Sequence, residues 1–66
     1  MSITLNGKPT EIKINSSITT LLESLSLTGK PVVIEHNKTA IFPRDYSKIQ
    51  LAENDQLEII SIAAGG

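Results

Sequence analysis

Gly65 and Gly66 close the sequence, and the group they present is a carboxylate with almost no side chain around it. Bulk falls away along Ile59-Ile60-Ser61-Ile62-Ala63-Ala64-Gly65-Gly66, from β-branched isoleucine to alanine to glycine, so the last residues have little to pack and much backbone freedom. A carboxylate is a poor electrophile because it is anionic and has no good leaving group. Activation as a mixed anhydride would supply one and open the acyl carbon to a nucleophile. Asp and Glu side chains carry the same group, but only a chain end can be pushed several residues deep into an enclosed site. The expected reacting group is therefore the Gly66 carboxylate. Gly65 leaves room around it, and Ala63-Ala64 forms a flexible approach.

The rest of the chain offers little competing chemistry. It has no cysteine and one histidine, so a disulfide framework, a thiol nucleophile and a zinc site are improbable and no bound metal or cofactor is expected. His36 stands beside Glu35 and Asn37 with no nucleophile to serve and reads as a solvated histidine at a strand end. Glu53 and Asp55 share one predicted turn while Glu11 and Glu58 fall on other elements, which argues against a two-carboxylate hydrolytic site. In Arg44-Asp45-Tyr46, the tyrosine is expected to pack over the sheet rim while the charges stay solvated.

Charge and composition narrow the partners. Six Lys and Arg residues are spread along the chain against seven acids, giving a net charge of −1 and no basic run to meet phosphates. One Phe, one Tyr and no Trp argue against a base-stacking platform, so no nucleic acid is expected. No apolar run approaches the ~20 residues that cross a bilayer, and the N-terminus lacks a basic stretch followed by an apolar segment. A cytoplasmic protein with no membrane contact is expected.

The elements that must hold the tail can be read in order. Ser2 to Asn6 alternates polar and apolar, Asn6-Gly7 is a hairpin turn, and Thr10 to Ile14 alternates again. Ile3, Leu5, Ile12 and Ile14 are expected on a covered face, with Pro9 at the start of the return strand. Ser16 or Ser17 caps a helix whose apolar stripe is Ile18, Leu21, Leu22 and Leu25, with Leu27 tucked beneath its end and Gly29 as the left-handed cap. Val32 to His36 and Thr39 to Phe42 read as strands around an Asn37-Lys38 turn. Ile49 and Leu51 read as core contacts, and Glu53-Asn54-Asp55 as the turn into the last strand.

A hairpin, one crossing helix and further strands in 66 residues fit an α+β fold of the β-grasp, or ubiquitin-like, arrangement: a mixed sheet of four to five strands packed on one helix. Residues 1–62 would form the domain and 63–66 the flexible tail. The first strand would lie parallel to the last, which puts the last strand mid-sheet. If Leu57 and Ile59 face the helix, then Glu58, Ile60 and Ile62 face water, and Ile60 and Ile62 become a candidate docking patch beside Ala63 and Ala64.

Along essentially its whole length the chain resembles the ThiS family of sulfur carriers from thiamine biosynthesis. The matching features are Ile3-Thr4-Leu5-Asn6-Gly7, the Ile18 to Leu25 helix, Glu35-His36-Asn37, Pro43-Arg44-Asp45-Tyr46, Asp55-Gln56-Leu57-Glu58-Ile59 and Gly65-Gly66. The resemblance implies that a ThiF-like adenylyltransferase adenylates the Gly66 carboxylate with ATP. The product is converted to a thiocarboxylate with a persulfide sulfur donor and passes its sulfur to a ThiG-like thiazole synthase. The chain would then be a protein co-substrate and not an enzyme. It departs from many relatives at Lys38, where they have glycine, and at Ala64, where they have a third glycine. Two alternatives share the tail: a carrier like the small subunit of molybdopterin synthase, and a ubiquitin-like modifier joined through Gly66 to a lysine amine.

Overall fold

A computed structural model describes residues 1–62. The expectations for Ala63, Ala64, Gly65 and Gly66 lie outside the described residues. The order is β1 (Ser2–Leu5), β2 (Lys8–Glu11), α1 (Ile18–Ser24), β3 (Val32–His36), β4 (Thr39–Ile41), a 3-10 turn (Pro43–Asp45) and β5 (Gln56–Ser61).

The first hairpin turns where Asn6 (φ 50°) and Gly7 (φ 81°) both adopt left-handed backbone. That geometry matches the right-handed twist of the strands it joins. Pro9 lies opposite Thr4 on β2, an edge strand of the sheet, where a missing amide donor is tolerated. The return strand is shorter than the alternation of its residues suggests. The register sets Ser2 against Glu11, and Ile12 N–H donates to Met1 C=O at 2.8 Å, so β1 has no residue left to pair with Lys13 or Ile14. Ile14 is consequently 73% exposed and not part of the covered face.

Ser17 caps α1 reciprocally with Thr20. Thr20 N–H donates to Ser17 Oγ (3.1 Å), and Ser17 N–H donates to Thr20 Oγ1 (2.8 Å). Ile18, Leu21 and Leu22 are buried as the stripe requires. The helix then stops at Ser24, and Leu25, at the C-cap, turns to solvent and leaves the stripe. The left-handed residue at this end is Ser26 (φ 59°), not Gly29. Ser26 N–H donates to Glu23 C=O and Leu27 N–H to Leu22 C=O, a Schellman closure that returns Leu27 to the core margin. Gly29 has its own positive φ of 77° in the following turn.

The five strands form one sheet in the order β2-β1-β5-β3-β4. β1 and β5 are parallel, and the remaining pairs are antiparallel. The helix covers one face, and Ile3, Ile18, Leu21, Leu22, Ile34, Leu51 and Leu57 form the core between them. Ile49 and Tyr46 pack against its margin. This is the β-grasp arrangement, with the last strand at the centre of the sheet. Among the described residues no helix is long and apolar enough to cross a membrane.

Candidate functional site at the end of the central strand

β5 is the strand from which the tail departs, and its two flanks are held differently. On the β3 side the ladder runs its full length, from His36 opposite Leu57 to Val32 opposite Ser61. Ile62 N–H then donates to Pro31 C=O at 2.9 Å. On the β1 side, strand pairing covers only Thr4 with Gln56 and Leu5 with Leu57, because β1 ends in the hairpin turn. The Asn6 side chain takes over there. Its Oδ1 accepts from Ile59 N–H (2.8 Å) and its Nδ2 donates to Ile59 C=O (3.4 Å). A side-chain amide thus stands in for a missing strand residue and fixes β5 three residues before Ile62. The sequence marks Asn6 only as a turn former. Its second role depends on β5 lying alongside and has no local signature.

Strand parity holds. Leu57 is buried and Ile59 half-buried toward the helix, while Ile60 is 52% and Ile62 50% exposed on the opposite face. The two isoleucines of the candidate docking patch therefore lie on an open sheet face, next to the tail. Val33 sits directly across from Ile60 and is also exposed. It widens the patch, and counting parity along β3 would have found it.

His36 is not the solvated residue the sequence suggests. Its Nε2 lies 2.7 Å from Asp55 Oδ2, with the two side chains only 20% and 14% exposed. Asp55 Oδ2 also accepts from Ala52 N–H (2.9 Å), and its Oδ1 accepts from Asn37 Nδ2 (3.3 Å). Asn37 Oδ1 in turn accepts from Gln56 N–H (2.8 Å). Burial pushes the Asp55 carboxyl up, but the hydrogen bonds from His36, Ala52 and Asn37 and the positive charge of His36 outweigh it. They hold the carboxyl below its usual value. The group is a brace joining the β3–β4 turn to the root of β5. It contains no nucleophile.

On the helix side a cleft of about 350 Å³ opens among Leu22, Leu27, Lys30, Pro31, Val32 and Tyr46. Burial pushes the Tyr46 phenol up. The cleft lining carries no carboxylate or imidazole, and its titratable groups are Lys30 and Tyr46. Arg44 rests over the Phe42 ring at 5.0 Å from its centroid, and Asp45 faces Lys48 at 3.8 Å. Neither of these contacts involves Tyr46. Among the described residues no three His, Asp or Glu groups converge as a metal site would require. What this arrangement provides is a fixed root, β5, for the residues that follow it in the sequence.

A sequence model of the ThiS family matches residues 3–66. The chain is 32% identical over all 66 of its residues to a thiazole synthase of Magnetococcus marinus and spans 20% of that protein's length. It is also 32% identical over its whole length to the uncharacterized protein ycf40 of Porphyra purpurea, with 93% of that protein covered. Its fold is similar to the crystal structure of the thiamine biosynthesis protein ThiS from Geobacter metallireducens, with a TM-score of 0.86, 25% identity and full coverage of both chains. The solution structure of a thiamine biosynthesis protein from the same organism gives a TM-score of 0.82 at 25% identity, covering 100% of this chain and 88% of that one.

Proposed function

The chain belongs to the ThiS family, and on that premise we propose that it is a sulfur carrier for thiamine thiazole biosynthesis, with the Gly66 carboxylate as its reacting group. One carboxylate oxygen attacks the α-phosphorus of ATP, pyrophosphate leaves, and the chain end becomes an acyl-adenylate. The terminal sulfur of a persulfide then attacks the acyl carbon and AMP departs with its bonding electrons. The resulting acyl disulfide is cleaved at its S–S bond by a thiol, and Gly66 keeps one sulfur as a thiocarboxylate. All three reactions take place in the sites of partner enzymes. This chain acts as a co-substrate, binds no cofactor of its own, and relies on its activating enzyme for ATP.

The observation that carries this reading is the position of β5. A central strand anchored by β3, by Pro31 and by Asn6 is followed in the sequence by residues of diminishing bulk, and the family match continues through Gly66. Thiazole synthase as the recipient of the sulfur is supported by the Magnetococcus marinus thiazole synthase, part of whose length is similar to this chain.

Intact mass spectrometry after incubation with a ThiF-like adenylyltransferase, ATP and a persulfide donor tests the proposal. The expected product is heavier by the difference between sulfur and oxygen. A protein that keeps its original mass, or that appears joined to lysines of other proteins, would overturn it.

A further inference from the structure

Asn6 carries the hold on β5 beyond the end of β1. Asn37 N–H donates to Gln56 C=O and Ile62 N–H to Pro31 C=O. By alternation, Ile34 with Ile59 is a non-hydrogen-bonded pair of the ladder between β3 and β5, so the Ile59 N–H points away from β3. Asn6 Oδ1 receives it at 2.8 Å. Glu58 and Ile60 lie at the alternate positions and turn their N–H groups toward β3. The Ile59 amide therefore reports on the Asn6 side chain, and its two neighbours report on β3.

The asparagines of the chain are Asn6, Asn15, Asn37 and Asn54, and only Asn6 is followed by glycine. An asparagine amide is labile, and the nucleophile that reaches its Cγ is the backbone nitrogen of the next residue. Ser16, Lys38 and Asp55 crowd that nitrogen with a Cβ, whereas Gly7 has none. The space around Gly7 is open, since a Cβ there would meet no atom of a non-adjacent residue within 4 Å. Asn6 and Gly7 are both exposed to water, and Gly7 N–H has no acceptor among the described residues.

We propose that Asn6-Gly7 is a site of spontaneous covalent modification, with water as the co-reactant, and that the product releases Ile59. The Gly7 nitrogen loses its proton to a base in solution and bonds to Asn6 Cγ. The Cγ–Nδ2 bond breaks, and Nδ2 takes a proton from the medium and leaves as ammonia. The resulting ring is a succinimide. One water opens it: the hydroxyl bonds to a ring carbonyl carbon, the C–N bond there breaks, and the nitrogen recovers a proton. Opening at Cγ gives aspartate. Opening at the former main-chain carbonyl gives isoaspartate, with the chain now running through Cβ and Cγ. No oxidant or reductant is needed. Aspartate still offers Ile59 N–H an acceptor, but it sets a second oxygen against Ile59 C=O, where Nδ2 donated at 3.4 Å. Isoaspartate lengthens the two-residue turn and shortens its side group by one carbon, so the bond to Ile59 N–H is lost. The clamp also guards the site, because the side chain must leave Ile59 before Cγ can turn to Gly7. None of this chemistry depends on the sulfur-carrier reading.

Incubation of the intact protein in mildly alkaline buffer tests the proposal, followed by peptide mass mapping and by methyl labelling with protein isoaspartyl methyltransferase and S-adenosylmethionine. The peptide that holds Asn6 should become heavier by the difference between a hydroxyl and an amino group, ahead of those that hold Asn15, Asn37 and Asn54, and should accept the methyl label. Unfolding in urea should speed the reaction, since the clamp is gone. Gly7→Ala, compared with wild type in urea so that the positive φ of the folded turn does not enter, should slow it. In the isoaspartate-containing fraction, hydrogen exchange at the Ile59 amide should be faster by roughly fivefold or more, as the loss of one hydrogen bond allows, while Glu58 and Ile60 keep their protection. Earlier modification at another asparagine, an Asn6 rate no slower in the folded protein than in urea, no effect of Gly7→Ala, or unchanged exchange at Ile59 would each overturn the assignment. Faster exchange at all three amides would overturn it too, as a general loosening of β5.

Discussion

His36 Nε2 meets Asp55 Oδ2 at 2.7 Å across the gap between the end of β3 and the start of β5. Asp55 is the residue whose carboxyl is held below its usual value. A carboxylate with a lower pKa folded than unfolded contributes stability above the unfolded value and loses it as pH falls through the folded one. Stability should therefore decline below about pH 4. Asp55→Asn should cost about 1–3 kcal/mol at neutral pH, where hydrogen bonds to the charged group are lost, and should flatten the acid decline. Urea denaturation at pH 7 and at pH 3 measures both effects. An equal acid loss in the variant and wild type would show that other carboxylates set the pH response.

Adding one alanine after Gly66 should abolish thiocarboxylate formation, because the carboxylate is displaced by a residue length and a Cβ is placed beside it. The melting temperature should stay within a degree or so of wild type, since the added residue removes none of the packed core side chains. Intact mass and a thermal melt on the same sample separate the two effects. Sulfur transfer by the untrimmed extended protein would contradict the assignment of Gly66.

Ile60→Asp places a charge on the open face, 52% exposed in the parent residue. Because the position is already wet, unfolding free energy should change by less than about 1 kcal/mol, while adenylation should fall by at least tenfold as the apolar contact becomes a desolvated charge. If the protein instead unfolds, Ile60 is a packing residue and not a docking one.

Lys38 occupies the second position of the β3–β4 turn at φ 72°, next to Asn37 at φ 50°. Left-handed backbone costs an L-residue roughly 1–2 kcal/mol, and glycine relieves this at some expense in unfolded-chain entropy. Lys38→Gly is expected to stabilise the protein by about 0.5–1 kcal/mol. The turn lies at the Leu57 end of β5, away from Ile60 and Ile62, so adenylation should be unaffected. Lower stability in chemical denaturation would argue that the lysine side chain makes a contact that matters.

How legible each of these features is in the sequence depends on its range along the chain. The Asn6-Gly7 turn, the Ser17 cap and the Ile18, Leu21, Leu22 stripe are local patterns, and each forms where expected. The parity of β5 is equally readable, because alternation with period two needs no knowledge of the partner strands. Ile14 and Leu25 are misplaced by the sequence pattern because periodicity continues past the point where a partner strand or a helix end cuts it off. The His36–Asp55 brace joins residues 19 apart and the Asn6–Ile59 bond residues 53 apart. No spacing rule announces either one. The chemistry proposed for Gly66 rests on residue type and family resemblance, whereas the central place of the last strand follows from the β-grasp reading and is found in the sheet order.

The grip of Asn6 on Ile59 also bears on what happens when an enzyme draws the tail inward. Traction on the terminus runs along β5 and is shared at once by the bonds to β3, by the Asn6 amide and by the short parallel contact with β1. The strand would have to shear past both neighbours together and could not peel away one bond at a time. A domain wired in this way can be hauled on repeatedly by machinery that captures and releases its end, and still spring back to the same starting shape for the next round.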